Sequence, residues 1–469
     1  MSNRAPELEL VRGLGLLDST FLVVGVIIGS GIFLTTGVMA ESLPSAPLLM
    51  LAWVVGGLIA MTGALTYAEL GAAMPEAGGQ YVYLREAYGP FAAFLFGWIM
   101  FLVYQPGAIA AVATGFSVYF GYFAPSLGTD NVIAEVAIAG TTLTVSAGQI
   151  VTVVVIVFLT AMNVSGLRAG TILQNVSTVL KIAALAALIL LGLWVTRGSV
   201  PDLSVYSGEG VSLLSGFGLA LIAVIWAYDG FINLTFSASE VKDPGRTLPR
   251  ALILGTAAVT VIYLLTNAVY FLALPIPEMQ GVLAIADKAA STLFGPAATT
   301  FIAAAVMIST FGSTNGTILT GARVHYAMAK DGLFFKSVAR VHPRHRTPHV
   351  SLWLQCLWAS VLALSGTFEQ LFTYTIFASA LIYMAAAASL FTLRRTKPDL
   401  PRPYRVWGYP LIPGLFFVSL AAVAVNSLIE RPVESFSGLG ILALGIPVYI
   451  YWSRRSRSRG ADPEERRPA

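Results

Sequence analysis

The sequence predicts an all-α polytopic membrane protein with twelve transmembrane helices. The expected arrangement is two inverted five-helix repeats, with helices one and six unwound near the membrane midplane. Three observations predict it. The 469 residues are 56% hydrophobic and only 11% charged, with mean hydropathy +0.77, a balance outside the range of soluble globular chains. Twelve apolar runs reach about the 20 residues that a spanning helix needs. Two of those runs, five spans apart, are interrupted by glycine in mid-span.

Composition narrows the function classes. Residues 1–15 are polar and charged, and the first apolar run is too long for a signal peptide and lacks a small-residue cleavage site. The single cysteine, Cys356, rules out an intrachain disulfide. Of the four histidines, His342, His345 and His349 share a loop rich in Arg and Pro, and His325 stands alone. No HExxH and no Cys/His ligand spacing occurs, so neither a metal nor a cofactor is expected. The formal charge of +4 matters less than where the charges sit. No nucleic-acid partner is implied; the partners are the bilayer and a small solute.

The apolar runs lie at about 17–40, 47–73, 90–123, 146–163, 171–195, 213–239, 251–274, 296–328, 349–366, 369–393, 409–428 and 437–453. They divide the chain into a cytoplasmic N-terminus (1–16), a first repeat (17–195), a second, inverted repeat (213–393), two additional helices (409–453) and a basic tail (454–469). One set of alternate connections holds only Arg197, Lys288 and Arg431. The opposite set holds the remaining loop cations, among them Arg4, Arg12, Arg85, Lys242, Lys330, Arg344 and Arg394, and the tail adds six arginines. By the positive-inside rule both termini are cytoplasmic, as in a multi-pass protein of the cell (inner) membrane. The tail itself reads as disordered and held near anionic headgroups, or as a plain topology determinant.

The first span carries Gly29-Ser30-Gly31 followed by the β-branched Ile32. Glycine costs roughly 1 kcal/mol against alanine inside a helix, so the helix is weakest here. Unpaired backbone is not tolerated against lipid, so an unwound segment must line a cavity. The amides that open the second half-helix then attract an anion such as a carboxylate. Close helix packing through small residues is the competing explanation.

The sixth span repeats the interruption with Asp229-Gly230 inside Ile225-Trp226-Ala227-Tyr228-Asp229-Gly230. A charge at helix centre costs about 2.5–3.5 kcal/mol on the insertion scale, so Asp229 faces the bundle interior or water. Five helices separate the two breaks, and five is odd, so a five-helix repeat inserts upside down the second time. Paired broken helices in corresponding positions point to a midplane substrate site in an inverted-repeat transporter.

Three further spans carry polar residues. Lys181 lies about ten residues into the fifth span, roughly 15 Å from its cytoplasmic end. It either snorkels to the headgroups or donates to carbonyls freed by the first break. There it can exchange a proton or stay a fixed internal cation. The third span carries Tyr104-Gln105-Pro106-Gly107, and the eighth carries Ser309, Ser313, Thr314, Asn315 and Gly316. Tyr104, Ser309 and Asn315 are candidate coupling or structural polar groups, with packing glue as the plainer explanation.

These residues resemble the amino acid–polyamine–organocation (APC) superfamily, and within it the L-type amino acid transporter branch. The resemblance rests on GVIIGSGIF (25–33), on the stretch from YAELGAAMPEAGGQYVYL onward (67–98), on NVSGLRAGTILQNVSTVLK (163–181), and on WAYDGFINL (226–234) with SEVKDPGRTLPRA (239–251). It implies the LeuT-type fold of ten core helices plus two. It implies that Ile28, Gly29, Ser30 and Gly31 bind a substrate carboxylate. It implies that unwound carbonyls near Ile225, Trp226 and Tyr228 bind the ammonium, with Trp226 as an aromatic lid. Lys181 would occupy the place of sodium in sodium-coupled relatives. Animal members of the branch join a glycoprotein subunit through a cysteine after the third helix. That loop, 124–146, has none here, so no disulfide-linked heavy chain is expected.

The expected function is therefore sodium-independent secondary transport of neutral L-amino acids by alternating access, as exchanger or proton symporter, with no enzymatic activity. Gly29, Ala227 and Gly230 leave room in the side-chain pocket, and Trp226 and Phe231 give it apolar walls. Asp229 opens an alternative. Facing the pocket, it suits cationic amino acids or polyamines; capping the break, it has no part in selectivity. A membrane-embedded amino acid sensor would carry the same breaks. A membrane-integral enzyme or a channel would need catalytic clusters or filter rings that the sequence lacks.

Overall fold

A computed structural model describes residues 9–138, 141–198, 204, 213–365, 368–430 and 432–459. Arg4, Arg431, Arg466 and Arg467 of the charge pattern lie outside the described residues, as do 1–8 of the N-terminus and 460–469 of the tail. The protein is an all-α polytopic membrane protein. Among the described residues ten helices are long and apolar enough to cross a membrane, and two shorter apolar helices, Ser215–Tyr228 and His349–Ser365, fall where the sixth and ninth spans are expected.

The first span is two half-helices, α1 (Leu16–Ile27) and α2 (Gly31–Ser42), separated by Ile28, Gly29 and Ser30. Asp18 fixes the start of α1 by accepting from the Gly15 amide at 3.0 Å. Helix α3 (Ala46–Ala73) begins at Ser45, whose hydroxyl accepts from the Leu48 amide. A short helix, α4 (Gln80–Tyr88), leads into the third span.

That span is α5 (Pro90–Ile99), a π-turn (Met100–Tyr104) and α6 (Gln105–Phe123). Pro106 has no amide hydrogen to offer the Leu102 carbonyl. The indole of Trp358 takes its place, 2.9 Å away. A π-turn adds a residue to one turn of helix and redirects everything after it, here Tyr104 and Gln105.

The connection after α6 was expected only as a loop, and it contains an antiparallel hairpin, β1 (Val132–Ile138) and β2 (Thr141–Ser146). Its strands, VIAEVAI and TTLTVS, are rich in the β-branched residues Val, Ile and Thr, which favour strands. Ser146 and Gln149 form a capping box that starts α7 (Ala147–Val164). Helix α8 (Leu167–Val195) carries Lys181.

The sixth span is α9 (Leu213–Tyr228), four non-helical residues, and a single turn, α10 (Asn233–Phe236). Helix α11 (Pro244–Ala273) follows, then the short α12 (Ile276–Met279) and α13 (Ile285–Phe294) in the next connection. Asp287, in the first turn of α13, has an unpartnered buried carboxyl oxygen, and burial pushes its carboxyl up to about 7. The phenols of Tyr119 on α6 and Tyr270 on α11 lie within electrostatic range of it.

The chain ends with α14 (Ala297–Lys330), α15 (His349–Ser365), α16 (Phe368–Thr396), α17 (Leu411–Glu430) and α18 (Pro432–Arg459). The basic segment 454–459, expected to be disordered, continues α18 as helix. Nothing in it breaks a helix before Gly460.

Ion pairs join the connections on the Lys/Arg-rich side. Leu14 pairs in parallel with Val241, the amides of Gly13 and Leu14 donating to the Glu240 carbonyl at 2.8 and 2.9 Å. The Glu240 carboxylate grips Arg323 with two bonds, 2.7 and 2.9 Å, and both side chains are fully buried. Such a fork is geometrically selective, and it ties the segment after α10 to α14. A second buried carboxylate, Glu69, receives Arg394, Arg402 and the Val406 amide.

Candidate functional site

Breaking the first span frees carbonyls that must find donors. Each one from Gly25 to Gly29 has a named donor. The Lys181 ammonium donates to Gly25 at 2.8 Å and to Ile28 at 2.6 Å. Ser313 donates to Val26 at 2.7 Å, and Tyr263 to Ile27 at 2.9 Å. Ser309 lies 2.9 Å from the Ile28 oxygen and 3.0 Å from that of Gly29. Lys181 completes its set on the Ser309 carbonyl, 2.7 Å away. It is fully buried and does not snorkel. Ser309 serves the break directly, so it is more than packing glue.

The amide side of the break is arranged differently. Helix α2 opens at Gly31, and its first-turn amides have no preceding helical carbonyl. The Ser30 side chain does not cap them. Its hydroxyl is buried without a partner and faces a cavity shared with Gly29, Gly31, Trp226 and Gly230. A positive helix end and an unpartnered hydroxyl thus meet at one cavity, an arrangement with the chemistry to receive an anion.

At the second break Gly230 adopts φ +105, and a Cβ there would meet the Val26 side chain at 2.5 Å. Only glycine meets both conditions. The preceding Asp229 both caps the break and lines the cavity, so the two expected alternatives coexist. Its carboxylate accepts from the Gly230 amide at 2.9 Å and from Tyr104 at 2.9 and 3.0 Å. Tyr383 also donates to it. The two phenols touch each other at 2.9 Å. Tyr263 bridges the breaks, 2.9 Å from the carbonyls of both Ile27 and Ala227.

Helix α9 persists through Tyr228, so the unwinding falls one turn later than expected. Ile225, Trp226, Ala227 and Tyr228 are its last turn. Trp226 reaches the cavity, while Ile28, Ile225, Ala227 and Tyr228 do not line it. The Ala227 backbone packs where a Gly31 Cβ would be, 2.7 Å away. Tyr228 turns outward onto Trp53 and Tyr263, ring centroids 5.9 and 5.1 Å apart. Phe231, expected as a wall, packs instead with Tyr67, Tyr383 and Phe416. Asn315 stays with the packing reading: it bonds Asn163, the Gly170 carbonyl and Gln174.

Gln105, Asn233, Ser313 and Thr317 also line the cavity. Sequence reasoning noted Gln105 and Ser313 only in passing and missed Asn233 and Thr317. A signal existed for part of this set. Ser309, Ser313 and Thr317 recur every four residues, one face of a helix. The amide nitrogen of Gln105 is anchored on the Thr317 carbonyl at 2.8 Å, which leaves its oxygen without a donor. The Asn233 oxygen is likewise unpartnered. A buried acceptor without a donor costs about 1–3 kcal/mol, so such groups mark where a ligand belongs. The free volume is about 40 Å³, against the roughly 10–15 Å³ that one water needs. A whole amino acid enters only when the walls part.

A polytopic helical bundle whose two broken helices meet at a buried polar cavity is a membrane transporter of small solutes. The chain matches the amino acid permease family model over residues 14–450. It belongs to that family. It is 32% identical to the serine/threonine exchanger SteT of Bacillus subtilis, over 96% of this chain and 98% of the relative. It is 30% identical to the large neutral amino acids transporter small subunit 2 of Mus musculus, over 97% and 86%. Identity to the mouse b(0,+)-type amino acid transporter 1 is 31%, over 97% and 92%.

Proposed function

We propose that this permease exchanges neutral L-amino acids across the cell membrane, independently of sodium, by alternating access of two inverted five-helix repeats. The observation that carries the reading is the uncapped start of α2, with the Ser30 hydroxyl buried and unpartnered against the cavity. The substrate carboxylate docks there, on the amides of Ser30 and Gly31 and the Ser30 hydroxyl, beside Gly29, whose own amide turns back onto the Ile27 carbonyl at 2.8 Å. The ammonium faces the last turn of α9, where the helix dipole is negative. Trp226 closes over the side chain. Backbone groups hold both charges, which leaves selectivity to the side-chain pocket. The relatives' names support neutral substrates and exchange.

Lys181 supports sodium independence, because its ammonium already occupies the carbonyls at the end of α1. With its three hydrogens given to the backbone carbonyls of Gly25, Ile28 and Ser309, it acts as a fixed cation, and proton symport is the less favoured coupling. The Lys/Arg asymmetry supports cytoplasmic termini. The protein works without a disulfide-linked partner, since Cys356 is buried within α15. A second reading, transport of cationic amino acids or polyamines, rests on the Asp229 carboxylate lining the cavity. Tyr104, Tyr383 and the Gly230 amide already occupy that carboxylate, which favours the neutral reading.

Proteoliposomes test the proposal. Uptake of labelled neutral amino acid is followed with interiors that are empty, preloaded with unlabelled amino acid, or empty under an inward proton gradient. Exchange predicts uptake only after preloading, unchanged when choline replaces sodium. Uptake driven by the proton gradient overturns exchange, and uptake of lysine or a diamine alone overturns the neutral substrate.

A further inference from the structure

Three polar atoms around the cavity are buried and unpartnered, and each comes from a different helix. They are the Ser30 hydroxyl at the start of α2, the Gln105 amide oxygen at the start of α6 and the Asn233 amide oxygen at the start of α10. All three side chains are at most 2% exposed. The transport reading uses only Ser30.

Gln105 and Asn233 need a different occupant. Both orphan atoms are amide oxygens, which only accept hydrogen bonds. In the docking proposed above the ammonium is matched by the last turn of α9, which leaves both acceptors to a donor on the substrate side chain. What they lack is a neutral donor. The amide of Gln105 cannot turn to present its nitrogen instead, because that nitrogen is anchored on the Thr317 carbonyl. Ala108, Val112 and Trp226 form the apolar part of the lining, and with a free volume of only about 40 Å³ the walls have to part least for a short side chain.

Resting on the amino acid transport proposed above, we infer that Gln105 and Asn233 are specificity-determining residues that accept a hydrogen bond from the side-chain hydroxyl of a small amino acid. The substrate class is then short, hydroxylated and neutral. A site built to bond a hydroxyl rejects the analogue that lacks it far more strongly than an apolar pocket rejects a missing methylene, because the buried acceptors stay unpaired.

Threonine and valine are nearly isosteric and differ in that hydroxyl, so their ratio reads the inference directly. Wild-type protein in preloaded proteoliposomes is expected to take up threonine with a KM at least about tenfold below that for valine. In Asn233→Leu the ratio is expected to fall to about 1–2, since leucine keeps the shape and removes the acceptor. Gln105→Met reads the same ratio and stands in if Asn233→Leu does not insert. Equal KM values for threonine and valine in the wild type overturn the inference and leave the transport reading standing. An undiminished ratio in both variants also overturns it. Absence of exchange with either amino acid overturns the transport reading itself.

Discussion

The Lys181 ammonium lies 2.6 Å from the carbonyl oxygen of Ile28, the first residue of the break in the first span. Gly25 and Ser309 take its other two hydrogens, so all three donors of the ammonium are used. The charge sits at the C-terminal end of α1, where the helix dipole favours a cation.

Lys181→Met removes that cation and leaves the Gly25 and Ser309 carbonyls without their side-chain donor. Each buried carbonyl so stranded costs about 1–3 kcal/mol. Exchange in proteoliposomes is expected to fall at least about tenfold, with a lower unfolding temperature in detergent. Full exchange activity in this variant would show that the ammonium is dispensable to the break.

Gly31→Ala tests the contact between the two broken helices. The added methyl would sit 2.7 Å from the Ala227 Cα and 2.8 Å from its Cβ, closer than the packed backbones allow. Substrate affinity is expected to drop by about tenfold or more, since a misplacement near 1 Å is enough to disturb a polar site. Gly414→Ala is the control, because a Cβ there meets nothing within 4 Å. Gly29→Val is the companion change in the carboxylate cradle itself, and unchanged affinity in that variant would remove the cradle from the site.

Asp287 sets a pH dependence outside the membrane spans. Its carboxyl titrates near about 7 in the folded protein, against about 3.9 in an unfolded chain. Between those values the folded state holds a proton that the unfolded state has released. Stability therefore falls as pH rises through this window and levels off above it. Asp287→Asn is expected to raise the unfolding temperature relative to wild type at pH 8 and to change little at pH 4. A thiol-reactive dye can follow this, since the one cysteine, Cys356, is buried until the bundle opens. An equal difference at both pH values would assign the effect to packing.

Much of the fold was legible because a bilayer allows few choices. Span edges at 90, 123, 195 and 213 coincide with helix ends, since length and hydropathy decide them. Gly29-Ser30-Gly31 announced the first break, and Lys181 announced that something inside the membrane needed a cation. The exact turn of the second break was not legible. Asp229 and Gly230 mark it, but whether Ile225–Tyr228 stay wound depends on Gly31 and Tyr263 packing against them from distant segments.

Asn233 was hidden for a related reason. It follows a stretch with no helical period, so no spacing tells which way it points. The role of Tyr383 depends on meeting Asp229 and Tyr104 across more than a hundred residues of chain, and one sequence carries no record of that meeting. The hairpin of β1 and β2 lies between spans, where no membrane constraint marks it in the sequence.

Tyr263 joins the two broken spans through one side-chain hydroxyl. Its hydroxyl has one hydrogen, and two carbonyls, one from each broken span, sit 2.9 Å away. The Ile27 carbonyl also accepts from the Gly29 amide at 2.8 Å, so the hydrogen can pass to Ala227 by rotation about a single C–O bond, with no backbone moving. Pulling α1 away from α9 therefore forfeits at this point about one hydrogen bond's worth of stability, roughly 0.5–1.5 kcal/mol, and not two. The two broken spans are latched here by a shared hydrogen, a hold of a size that thermal motion can lift.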